Sequence, residues 1–180
     1  FSPDGHAASA QAAQLALAEA ARTPVADDVD RVTQAELQRT LQVQIDGHEA
    51  GFWQRDVNNI ASPTQELRDI FDLLPMDTAE DWHRVALRMH NVPTAVDGYL
   101  ASLQAGIDAG NTPAIRQVRE ASAQAHKQTG AESFFSGLAS QAPEALGNDL
   151  GRAAADAQAA YARLADFLDH QLAPHATEHD

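Results

Sequence analysis

Apolar positions recur at three- and four-residue spacings along nearly the whole chain, and no stretch shows the two-residue alternation of a strand. That pattern predicts an all-α, multi-helix bundle of about six to eight helices with no sheet. Ser2-Pro3-Asp4 places a capping residue before a proline at the first helical position, and Ala7 to Arg22 continues in strong helix formers until Thr23-Pro24 stops it. Asp27 or Asp28 is placed to cap a second helix, with Val29, Val32, Leu37, Leu41 and Ile45 along one broad face. Gly47 is expected to end or bend that helix. His48 to Ile60 has mixed periodicity, which predicts a short helix followed by irregular backbone.

Ser62-Pro63-Thr64-Gln65 then supplies a cap, an N1 proline and a capping-box glutamine in order, so a new helix must start there. Leu67, Ile70, Phe71 and Leu74 form its apolar side, and Arg68, Asp69 and Asp72 its wet side. Pro75 closes it. Thr78-x-x-Asp81 restarts the chain, with Trp82, Val85, Ala86 and Met89 as the next stripe. Asn91-Val92-Pro93 predicts a break, after which Val96, Tyr99, Leu100, Leu103 and Ile107 carry a helix to Gly110. Thr112-Pro113 is expected to start another, with Ile115 and Val118 inside, ending at Thr129-Gly130. Phe134, Phe135 and Leu138 make a short anchoring turn. Asn148 is the expected cap of a final long helix in which Leu150, Ala154, Ala157, Tyr161, Leu164 and Leu168 alternate at spacings of four and three, until Pro174 ends it. With no internal repeat and no long linker, residues 1–180 read as one helical unit.

Composition narrows the function classes. The apolar fraction is 44% but aromatic residues make up 6%, so the core is expected to consist of thin, alanine-rich helix contacts. Acidic residues outnumber basic ones 26 to 12, and a net charge of −14 repels phosphate backbones and anionic lipid, which argues against nucleic-acid and membrane partners. Cysteine is absent, so any metal would rest on histidine and carboxylate. The chain opens at Phe1 with no basic-plus-apolar leader, which reads as a missing or processed start and a cytoplasmic setting.

Candidate chemistry is sparse. His48-Glu49 begins like the His-Glu-x-x-His zinc motif, but Phe52 stands where the second histidine is required. His83 and His90 share a helix face about 10 Å apart, too far for both to reach one ion. His170, His175 and His179 with Asp169, Glu178 and Asp180 are competent ligand types, yet Pro174 splits the group and a terminus explains it. No catalytic residue and no metal ligand is assigned. The best candidate is the Asn58-to-Gln65 turn: Asn58, Asn59, Ser62 and Gln65, with a helix N-terminus behind them, offer donors to a substrate carbonyl or carboxylate. The same residue types are what a turn and a cap need for their own backbone. Trp53 and Trp82 are open to the same two uses, a ligand wall or core packing.

The run HEAGFWQRDVNNIASPTQELRDIFDLLPMDTAEDW from His48 to Trp82, with the opening FSPDGHAA and the later GYLASLQAGIDAGNTP, resembles the bacterial family known as domain of unknown function 885. Full-length members of that family look like helical zinc metallopeptidases. The resemblance spans nearly the whole chain and implies an N-terminal fragment of a larger hydrolase. On that reading the His-Glu-x-x-His motif and a further acidic ligand lie in the remainder of the parent chain; zinc belongs there and no cofactor to this segment. These helices would then form a cleft wall and a peptide-positioning surface, inactive alone. Asn58, Asn59 and Gln65 would correspond to the Asn-Gln-like turn and Gln-bearing helix of more distant members. The rival reading is a self-contained, non-enzymatic helical bundle that binds a protein partner through the Leu150 to Leu168 seam or the Leu67 to Leu74 face.

Overall fold

Helix signals in the chain are obeyed residue by residue at most termini. In the computed structural model, which describes residues 1–178, Ser2 accepts the Gly5 amide at 3.1 Å and caps α1 (Pro3–Arg22). Asp27 accepts the Asp30 amide at 2.9 Å and caps α2 (Asp28–Glu49). α3 (Pro63–Asp69) tightens into a 3-10 turn (Ile70–Leu73), and Thr78 with Asp81 builds the capping box of α4 (Ala79–His90). α5 (Val92–Ala109) follows after Asn91 alone and ends at Gly110, whose φ of 67° is the left-handed conformation that favours glycine. The remaining helices are α6 (Ile115–His126), the short α7 (Phe134–Ala139) and α8 (Glu144–Phe167). α8 runs on through a π turn (Leu168–Leu172) and a 3-10 turn (Ala173–His175).

The all-α expectation holds: the described residues contain no sheet, and their isolated bridge pairs Ala114 with Thr177. That bridge explains one difference from the sequence pattern. Ile115 donates to Thr177 O at 2.8 Å and Thr177 to Pro113 O at 3.0 Å, so residues 113–114 stay extended and α6 begins two residues after Pro113. Two further boundaries shift. Gly47 lies inside α2, and the chain turns instead at Gly51, with φ 70°. Asn148 lies inside α8, which starts at Glu144 with Pro143 at the cap position.

α8 is the axis of the bundle and packs against α4, α5, α6 and α7. Its seam of Leu150, Ala154, Ala157, Tyr161, Leu164 and Leu168 is buried throughout, with Ala153, Ala160 and Ala165 beside it. Alanine at these positions lets neighbouring helices approach closely, while the larger residues interdigitate. Around Tyr161 the rings of Phe135, Phe71 and Phe134 meet at centroid distances of 5.4 to 6.1 Å, joining α8, α7 and the 3-10 turn after α3. The core therefore runs from Val57 to Leu172.

α1 and α2 form a hairpin that buries Ala10, Ala13, Ala20 and Ile45, outside that main core. The broad apolar face expected of α2 turns inward only at its C-terminal end: Ile45 is buried and Leu41 half-buried, but Val29 is 72% exposed, Val32 70% and Leu37 46%. The hairpin meets the body through Phe1, whose ring lies edge-on to Tyr99 at 6.5 Å and whose carbonyl accepts the Ser102 hydroxyl at 2.6 Å. Among the described residues no helix is long and apolar enough to cross a membrane.

Gly106 marks the tightest approach. A Cβ there would lie 2.4 Å from Gln54 O and 2.8 Å from Asn111 O, both backbone atoms. Gly151, exposed in α8, has nothing within 4 Å of such a Cβ. The same substitution should therefore act in opposite directions: Gly106→Ala lowers stability by about 1–3 kcal/mol, and Gly151→Ala raises it by about 0.5–1 kcal/mol. Urea denaturation of the two variants reads both signs.

Candidate functional site

The turn from Asn58 to Gln65 is held by side-chain amides. Asn58 Oδ1 accepts the Ile60 amide at 2.9 Å and the Ala61 amide at 2.7 Å, and its Nδ2 donates to Ala61 O at 2.7 Å. Gln65 Oε1 accepts from the Ser62 amide at 2.8 Å and from the Ser62 hydroxyl at 2.7 Å, which is the glutamine half of the capping box. Gln65 Nε2 spends one hydrogen on Asn58 O at 3.0 Å and the other on Gln124 Oε1 of α6 at 2.7 Å. Gln124 Nε2 returns to Asn59 O at 3.1 Å, and Gln117 Oε1 accepts the Asn59 amide at 3.1 Å. Two buried phenols clamp the segment from beneath. Tyr99 of α5 donates to Asp56 O at 2.7 Å, and Tyr161 of α8 to Thr64 O at 2.9 Å. Burial pushes both phenols well above their ordinary range, so they remain protonated donors.

The four candidate substrate-binding residues thus sit together but differ in what they have left to offer. Ser62 is fully buried, and Asn58 and Gln65 have committed their side-chain amides to the turn and to α6. Asn59 is exposed, and its side-chain amide has no hydrogen-bond partner among the described residues.

Histidines are dispersed. His48 and His6 both stack on Trp53, at centroid distances of 6.0 and 5.5 Å, where α1 and α2 meet the turn after them. Burial lowers the His6 pKa, assisted by the positive charges of the Phe1 amino group and His48. Trp82 lies instead in the core, so the two tryptophans do not make one wall. His90 Nε2 approaches Asp149 Oδ1 at 3.2 Å and joins α4 to α8, while His83 is exposed. His170 contacts Asp166 and His175 contacts Gln171 O, each within its own turn. His179 and Asp180 lie outside the described residues. Among those described, no three His, Asp or Glu side chains converge in a way that could hold a metal ion. The described residues by themselves therefore do not assemble a zinc site.

A family model described as "Bacterial protein of unknown function (DUF885)" matches residues 1–180. The chain belongs to this family. No curated protein matches it. Within this DUF885 chain the residues quoted above for the resemblance occupy connected places: the Asn58-to-Gln65 turn, the α1 cap at Ser2, and the Gly110-Asn111-Thr112 exit from α5.

One constellation escaped the sequence reading of this DUF885 segment. Asp169, on the π turn, accepts the Ser122 hydroxyl at 2.5 Å through Oδ1 and meets His126 Nε2 at 2.9 Å through Oδ2. The residues are more than 40 positions apart in the chain, so no local spacing announces them. The carboxylate stands between hydroxyl and imidazole, an order in which the imidazole cannot take the serine proton; the trio is a latch between α6 and the C-terminal turn. Desolvation raises the Asp169 pKa, but the bonds from Ser122 and His126 outweigh it and hold the carboxyl below its usual range.

Two predictions come from this geometry. Gln65→Ala strips the turn of its link to Gln124 and should cost about 1–3 kcal/mol. Asn59→Ala removes no side-chain bond and should stay within about 0.5 kcal/mol of the parent; thermal unfolding of both tests the contrast. A depressed folded-state pKa means Asp169 stabilises the fold above its unfolded value, roughly pH 3.9. That contribution is lost as pH falls through the lower folded value, so Asp169→Asn should flatten the acid limb of the pH–stability curve below about pH 4.

Proposed function

We propose that the chain is the N-terminal helical portion of a zinc-dependent peptidase-like protein, forming a cleft wall and a peptide-positioning surface without carrying the hydrolytic groups. The observation that carries the reading is the Asn58-to-Gln65 turn. Its backbone is fixed from α3, α5, α6 and α8, yet it holds the exposed Asn59 side-chain amide with no hydrogen-bond partner among the described residues. A preorganised amide of this kind offers an N–H donor and a carbonyl acceptor to an extended peptide backbone at little entropic cost. Asn58, Ser62 and Gln65 then act behind it as positioning residues. Zinc and the water-activating acid belong, on this proposal, to the remainder of the parent chain.

A second reading has its own support. Of its two expected faces the Leu150 to Leu168 seam is buried within the bundle, while Ile70 and Leu73 of the Leu67 to Leu74 stretch are exposed, as are Leu15, Val29, Val32 and Val43 on the α1–α2 hairpin. On the peptidase-like proposal the same hairpin faces the rest of the parent.

The discriminating experiment is steady-state peptide hydrolysis by the full-length parent carrying Asn59→Ala. A KM rise of about five- to tenfold with kcat nearly unchanged is expected from the loss of one uniform binding contact. Unchanged KM and kcat would return the turn to a purely structural role.

A further inference from the structure

On the other flank of α3, away from Gln65 and α6, lies an open cleft of about 400 Å³. Its floor and walls are Leu67, Ile70, Val92 and Ala95, with Phe71 below. Two side-chain charges border it, Glu66 from α3 and Arg88 from α4, and Phe1, which carries the amino group, and Asn91 complete its rim. Among the described residues Arg31, Arg39, Arg68, Arg84, Arg152 and Arg163 pair with carboxylates. Arg88 has no such partner among the described residues, and neither does Glu66, so the two do not neutralise each other across the cleft.

An apolar cleft bounded by one unpaired cation and one unpaired carboxylate is complementary to a ligand with the same three parts. Its volume falls within the roughly 300–1,000 Å³ of small-molecule sites. We propose that this cleft binds a small apolar zwitterion, with its aliphatic body on Leu67, Ile70 and Val92, its carboxylate at Arg88 and its ammonium at Glu66. A free branched amino acid and an apolar dipeptide share that chemistry. The guanidinium supplies paired N–H donors to the carboxylate. The proposal does not depend on the Asn59 reading, because the two sites use opposite flanks of α3.

The test is methyl-detected NMR titration of the 180-residue chain with leucine, leucyl-leucine, N-acetyl-leucine and leucinamide. Saturable shifts at Leu67, Ile70, Val92 and Ala95 are expected for leucine or leucyl-leucine, and the tighter of the two identifies the source. Acetylating the amine or amidating the carboxylate should each weaken binding about fivefold, the scale of one exposed charge-assisted contact. Arg88→Gln should abolish the penalty for amidation alone, and Glu66→Gln the penalty for acetylation alone. Neither side chain holds a bond among the described residues, and the blocked ligands probe the same contacts on the unaltered protein. Absence of saturable shifts up to about 10 mM, equal binding of blocked and free ligands, or shifts confined to residues outside the cleft would each overturn the assignment.

Discussion

The burial of one face of α8 is the constraint from which the rest of the molecule follows. Leu150, Ala157, Tyr161, Leu164 and Leu168 are all fully buried, and α4, α5, α6 and α7 are placed by what they press against on that face. Tyr161 has a double part in it. Its ring packs on Phe135, while its hydroxyl, protonated at any ordinary pH, reaches through to Thr64 O and fixes the start of α3. Tyr99 does the same from α5 to Asp56 O. The polar turn is thus tied to the apolar core by two buried phenols whose hydroxyls must find partners inside the fold.

On that base the turn satisfies itself. A buried or half-buried amide side chain must find partners or lose free energy. Asn58 and Gln65 find theirs in the turn backbone and in α6. The consequence for function is a division of labour: residues that shape the turn have little left to offer a ligand, and the side chain that retains its hydrogen-bonding capacity, Asn59, is exposed. The Glu66–Arg88 cleft follows the same logic on the opposite flank of α3, where charges remain that the fold does not use.

The helices were legible because their caps are local. Ser2, Asp27, Ser62 and Thr78 each lie within three residues of the groups they satisfy, and the α8 seam is a periodicity visible in one window. What could not be read depended on distant partners. The start of α6 is set by Thr177, and the Asp169 latch joins residues over 40 positions apart. Val29, Val32 and Leu37 of α2 carry no sign in the sequence that they face outward, since a stripe reads alike whichever surface it meets. The four residues of the candidate turn are near one another in the chain and so could be grouped by spacing, but the hydrogen bonds that tie them to Gln117 and Gln124 of α6 lie beyond any spacing argument.

Hydrogen exchange at the amides of Ile60, Ala61 and Ser62 tests most directly whether the turn is a preorganised platform. These donors are bonded to Asn58 Oδ1 and Gln65 Oε1 rather than to helix carbonyls. The account predicts protection within about tenfold of the α6 amides, because side-chain acceptors anchored to the core should open only with it. Exchange at the rate of an unstructured peptide would contradict it.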